Sequence, residues 1–214
     1  MTDTGKEWTA ADCNIPGVVA GICLIALPFL GFWWSVRFGN GAFALEVSPF
    51  ELGMSGFGQE FFSPLMAAVN LAIIISIVFF GALLLVGSVL RCSREYRELS
   101  DRLVGMAAKK PLWLVLLFLI SIVIGGFGIE YSLRESGIAI SLPVIVGDAV
   151  GTITASGITV QIPVSLSLNT PFWYAVVFAI IAVYAGIYQK RRYSGSFEEN
   201  GKAGADESTG SGQM

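Results

Sequence analysis

The sequence predicts an α-helical integral membrane protein: a four-helix transmembrane bundle with a small extracytoplasmic β-sheet domain formed by its two outer loops. Three observations point there. Four long runs of residues contain no Asp, Glu, Lys or Arg. Lysine and arginine gather on one side of those runs. On the other side, apolar residues fall on every second position, a strand rhythm.

Composition sets the frame. Of 214 residues, 54% are hydrophobic and 14% charged, against about 25% charged in soluble domains. Mean hydropathy is +0.71. That much apolar surface needs a solvent other than water. A helix rising about 1.5 Å per residue needs roughly 20 apolar residues to cross a hydrocarbon core about 30 Å thick, and each run meets that length.

Residues 1–16 form a cytoplasmic N-terminus. The first span, 17–36, is GVVAGICLIALPFLGFWWSV, with Pro28 expected to kink it. Lys6 there is outweighed by Asp3, Glu7 and Asp12, and the run exceeds the roughly 7–15 residues of a signal-peptide core, so the helix is expected to be retained. Outer loop 37–63 follows, with FALEV (43–47) and FELGM (50–54) as candidate strands. Its rings Phe43, Phe50, Phe57, Phe61 and Phe62 are the candidate outer contact residues.

Pro64 opens the second span, 64–90, with Ser63 as its N-cap. A helical cytoplasmic extension is expected over 91–103, where Arg91/Glu95, Arg94/Glu98, Arg97/Asp101 and Glu98/Arg102 are four apart. The third span is 111–129 and the fourth 171–189, opened by Pro171 after Thr170 as N-cap. Between them lies outer loop 130–170. Alternation over 137–147 and 158–168 predicts strands, with turns at Gly147, Gly151 and Ser156-Gly157, and edges or bulges at Pro143 and Pro163. Residues 190–214 are Gly-, Ser- and Glu-rich, a disordered tail. Trp33, Trp34, Trp173 and Tyr174 are expected at the outer interface and Trp113, Tyr184 and Tyr188 at the inner one, with Trp8 along the inner head groups.

Orientation follows the positive charge. The 91–110 segment holds Arg91, Arg94, Arg97, Arg102, Lys109 and Lys110, and the C-terminal segment adds Lys190, Arg191, Arg192 and Lys202; the opposite loops hold Arg37 and Arg134. The positive-inside rule puts both termini in the cytoplasm of a multi-pass cell-membrane protein. A lone hairpin is marginal in water, so the two outer loops are expected to share one sheet.

Chemistry is sparse. There is no histidine and no Cys-x-x-Cys pair, and GGFG (125–128) lacks the Lys-Ser/Thr of a phosphate loop. No enzyme activity, cofactor, metal or nucleic-acid partner is expected. The outer carboxylates are scattered, without calcium-loop spacing, and are expected to form a solvated acidic surface. Among Asn70, Ser76, Ser88 and Ser121, the deepest polar groups of the runs, Asn70 is the candidate helix-packing residue. Gly17/Gly21, Ala68/Ala72 and Ala182/Gly186 are small pairs suited to packing within the bundle. The three cysteines avoid the outer loops, and Cys92 is expected as an unmodified thiol.

Four spans, cytoplasmic termini and an exported β-rich cap give a layout that resembles that of the claudins. The Trp…Gly-Leu-Trp…Cys…Cys signature of their first outer loop has no counterpart in RFGNGAFALEVSPFELGMSGFGQEFFS, which holds neither Trp nor Cys, so no residue role is carried over. Besides the lipid bilayer, the expected partner is another protein or a second copy, met by the outer β domain of a non-enzymatic interaction protein. The alternative is a subunit of a transporter, channel or larger membrane complex.

Overall fold

Helix α1 spans Ile15–Ala26 and tightens into a 3-10 turn over Leu27–Phe29, at the start of a computed structural model that describes residues 13–56, 59–61, 63–135, 138–155 and 158–209. The Asn14 side chain caps it by accepting the Gly17 N–H at 3.2 Å. The helix then stops, because Pro28 has no N–H for the ladder and Gly31 adopts a φ of 98°. Strand β1 follows at Trp34–Phe38. The expected 17–36 helix is corrected accordingly: α1 and its 3-10 turn rise about 22 Å at 1.5 Å per residue, and the end of the apolar run is strand. Trp34 and Val36, 3% and 1% exposed, owe their apolarity to the core of a sheet.

Among the described residues, three helical stretches are long and apolar enough to cross a membrane: Pro64–Leu90, Arg97–Glu135 and Thr170–Arg191. They comprise α2 (Pro64–Leu90), α3 (Arg97–Ala107) leading into α4 (Lys110–Glu135), and the first part of α5 (Thr170–Thr209). Ser63 makes no side-chain cap bond to α2. The backbone of α5 stays helical to Thr209, where a disordered tail was expected; extending a formed helix needs no new nucleus.

Helix α1 packs between α2 and α5, and α4 packs on α5, while contact between α2 and α4 is slight. Small residues set the close approaches. A Cβ on Gly21 would lie 2.8 Å from the Leu85 nitrogen and 2.9 Å from the Gly81 oxygen, and one on Gly186 would lie 2.9 Å from the Ala108 Cβ. Ala68 and Ala72 are exposed.

The expected straight extension of α2 over 91–103 is also corrected. The chain turns at Arg91–Ser93, and α3 folds back on α2. Arg91 bonds Asp101 at 2.7 Å, and the Ser100 hydroxyl donates to the Gly87 carbonyl at 2.7 Å. Of the four spaced charge pairs, Glu98/Arg102 forms at 2.5 Å.

The seven strands among the described residues join one antiparallel sheet in the order β4-β3-β2-β1-β7-β6-β5. The segment between α1 and α2 supplies β1, β2 (Phe43–Val47), β3 (Leu52–Gly56) and β4 (Gln59–Phe61); the segment between α4 and α5 supplies β5 (Ile138–Ala139), β6 (Gly147–Ala155) and β7 (Ile158–Leu168). The loops meet where β1 pairs with β7, Trp34 opposite Leu168. Strand β3 begins two residues later than FELGM suggested, because the Ser48 hydroxyl accepts the N–H groups of Phe50 and Glu51 and holds a turn there. Among the described residues of 137–147, strand forms at β5 and at Gly147, where β6 begins. Gly151 lies inside β6 rather than at a turn, and a Cβ on it would lie 3.1 Å from Ile140 Cδ1. Ser156-Gly157 lies outside the described residues. Pro163 sits one position past the end of β1, where β7 is paired only to β6, a local edge that tolerates a missing N–H.

One face of the sheet, with Trp34, Val36, Val164 and Leu166, is buried in a core shared with the helices, and the Trp34 indole N–H donates there to the Ile145 carbonyl at 2.8 Å. Trp33 sits at that junction, fully buried, with its ring edge-on to Phe50, Phe118 and Phe172 at 5.6, 5.0 and 6.1 Å between centroids. Trp33 and Trp34 are therefore core residues, not interface anchors, whereas Trp173, Tyr174, Trp113 and Tyr184 are exposed. Trp8 lies outside the described residues.

Candidate functional site: the open face of the sheet

The second face of the sheet is open. Strand register aligns Asp148, Ser165, Arg37, Ala44 and Ser55 in one cross-strand row, and Ser167, Ser35, Glu46 and Gly53 in the next. Directly opposed side chains stand about 4.5–5.5 Å apart at Cβ. Because the residues between the charges are small, the rows leave a shallow concavity of about 750 Å³ bordered by Arg37, Glu46 and Asp148. Arg37 and Asp148 are exposed, and Arg37 makes no ion pair among the described residues. Ser35 is buried beneath them, its hydroxyl 2.9 Å from that of Ser167. The chemistry offered is a cation between carboxylates on a flat hydroxyl-bearing floor, suited to charged and hydrogen-bonding groups of another surface.

The aromatic candidates disperse. Phe43 is half-buried and points to the other face, its ring 5.8 Å from Phe38. Phe50 is 2% exposed and spent on the Trp33 cluster, so it is no outer contact. Phe61 sits on β4 opposite Met54, its side chain outside what is described; Phe57 and Phe62 lie outside the described residues. Asn70 is half-buried on α2 and lines a cleft of about 660 Å³ beneath β3, together with Glu51, Met54 and Ser63. No hydrogen bond from its amide is formed among the described residues.

A second cleft lies under the sheet. Phe38, Phe43, Leu45 and Met54 face Gly125 and Gly128 of α4 across about 730 Å³. Periodicity signals each wall separately, but not that the walls stand apart.

At the far end of the helices a polar knot joins four of them. The Asn14 amide donates to the Ala185 carbonyl (3.2 Å) and to Gln189 Oε1 (2.8 Å). The Gln189 amide donates to Ser100 Oγ (2.9 Å) and Asp101 Oδ1 (2.6 Å), and Asp101 holds Arg91. Asn14, Ser100, Gln189 and Arg91 are all buried. Beside the knot, Cys13 and Cys92 form a disulfide with Cα atoms 4.6 Å apart, so Cys92 is not the unmodified thiol expected. Separated by 79 positions, the two cysteines gave no spacing signal. The knot is a clamp: its buried polar groups bond to one another and offer no reactive atom to solvent.

Among the described residues, no three acidic, cysteine or histidine side chains come together as a metal site. No protein-family model matches the chain, and no curated protein matches it.

Proposed function

We propose that the chain is a four-pass cell-membrane protein without enzymatic activity, which presents the open face of its sheet to another protein or to a second copy. In this reading α1 joins the three long helices in the bilayer, the basic end faces the cytoplasm and the sheet lies outside. The carrying observation is the two-sidedness of the sheet. One face is buried in the core shared with the helices; the other holds Arg37, in no ion pair among the described residues, between Glu46 and Asp148. Rows of small side chains bring a partner close to those charges, and charge pairs at such a rim set register and partner choice.

Crosslinking in native membranes tests the proposal. A specific crosslinked species is expected, and Arg37→Glu with Asp148→Lys should abolish it while leaving the amount of protein in the membrane unchanged. Recovery of the wild-type chain only as a lone monomer would refute it. A second reading, a subunit of a transporter or channel, draws on Asn70, a polar side chain lining the cleft beneath β3. It requires a water-soluble thiol reagent to reach Asn70→Cys and deeper positions along α2, with matching flux in vesicles.

A further inference from the structure

We infer that the cleft between the sheet and the end of α4 is a lipid site, which takes one acyl chain of a membrane lipid from the sheet-side leaflet. This rests on the membrane reading above and adds a ligand to it.

Depth comes first. Counted from Pro111 at about 1.5 Å per residue, a hydrocarbon core about 30 Å thick ends close to position 130. Gly125 and Gly128 therefore stand where acyl chains meet head groups. The opposite wall is the underside of β1–β3, with Phe38, Phe43, Leu45 and Met54.

The lining comes second. Among the described residues, Ser132 is the only polar side chain bordering the cleft, and no charge borders it. Water needs two to four polar partners to settle in such a space, and about 730 Å³ is too large for the walls to close by small adjustments. Among the described residues, nothing beyond the helix's own neighbouring backbone lies within 4 Å of where a Cβ would stand on Gly125 or Gly128, so the glycines open the cleft rather than allow a helix to approach.

Its mouth comes third. The neighbouring stripe of α4 carries Ile124 and Phe127, 67% and 63% exposed. In the bilayer that stripe meets acyl chains, and the cleft continues it inward. The slight contact between α2 and α4 leaves the bundle unsealed on this side, and Met54 borders both this cleft and the one holding Asn70. A chain entering from the leaflet exchanges one hydrocarbon surface for another and fills a void that would otherwise forfeit dispersion contacts.

The test uses the full chain in vesicles of phosphatidylcholine and phosphatidylglycerol, doped with a phospholipid carrying a diazirine at the end of one acyl chain. After illumination, labelled residues are located by mass spectrometry. Labels are expected on Phe38, Phe43 or Met54 as well as on Leu117 and Ile120 of mid-α4. Two variants fill the cleft from opposite walls, Gly125→Phe and Met54→Trp. Each should reduce sheet labelling to background and leave Leu117 and Ile120 labelled, which also shows that the variant has inserted. Labels on Leu117 and Ile120 with none on the sheet of the wild type would overturn the lipid site and leave the membrane reading standing. So would sheet labelling indifferent to both variants, or protection of the sheet by a protein–protein crosslink at Met54. Absence of labels on Leu117 and Ile120 as well would overturn both.

Discussion

The Asn14 amide donates to Gln189 Oε1 at 2.8 Å, tying the N-cap of α1 to α5 across 175 positions of sequence. Both residues are buried, and Gln189 passes the connection on to Ser100 and Asp101. Gln189→Leu would leave these groups facing an apolar side chain. The expected cost is about 1–3 kcal/mol, the penalty for orphaned buried polar groups, read as a lower midpoint in thermal unfolding in mild detergent. An unchanged midpoint would mean that the knot is not formed.

Gly21 sets the spacing between α1 and α2. Gly21→Ala places a methyl within 2.9 Å of the Leu85 nitrogen and the Gly81 oxygen, and backbone cannot rotate away as a side chain can. Destabilisation of about 1–3 kcal/mol is expected, as for overpacked cores. Ala72→Val, on the exposed face of α2, should change stability by less than about 0.5 kcal/mol. The same unfolding measurement separates the two.

Trp33 fills the joint between helices and sheet. Trp33→Ala should cost about 3–5 kcal/mol, the usual range for removing a large buried ring. The sheet should loosen with the helices, visible as faster amide exchange in both β1 and α4. Loss confined to one of them would contradict a shared core.

The Cys13–Cys92 bridge predicts a thiol count. Denatured without reductant, each chain should take up one maleimide, at Cys23; after reduction it should take up three. The proposed orientation puts the bridge in a compartment that keeps thiols reduced. Its occupancy in cells should therefore fall with dithiothreitol and rise with a thiol oxidant, measured by alkylating cells before lysis. Full bridging already in untreated cells would place that end in an oxidising compartment.

How much of this the sequence carried depends on the range of the signal. Strand β7 was legible because period-two alternation is local, and FALEV is β2 residue for residue, whereas β6 runs through Gly147 and Gly151, whose glycines read as turns. The helices α2, α4 and α5 were legible from their charge-free runs. The same signal overran α1: a strand buried on a sheet is as apolar as a span, so hydropathy continued through Trp34 and Val36 while the backbone had already turned at Pro28 and Gly31. The fold-back of α3 was hidden because Arg91 had a partner at helical spacing, Glu95, yet bonds Asp101 instead. At the candidate site, Arg37, Glu46 and Asp148 were visible only as scattered loop charges; their alignment depends on the pairing of β1 with β7 between two distant loops. The aromatic residues of the first loop drew notice for their size, and size is what sent Phe50 into the core.

The central claim is that helices crossing a bilayer hold the sheet outside the cell and the basic end within it. It is tested most directly by single cysteines at Asp148 and Lys110, in a chain without its natural thiols, exposed in intact cells to a membrane-impermeant maleimide. Asp148→Cys should be labelled at once and Lys110→Cys only after permeabilisation. Labelling of both positions from the same side would contradict it.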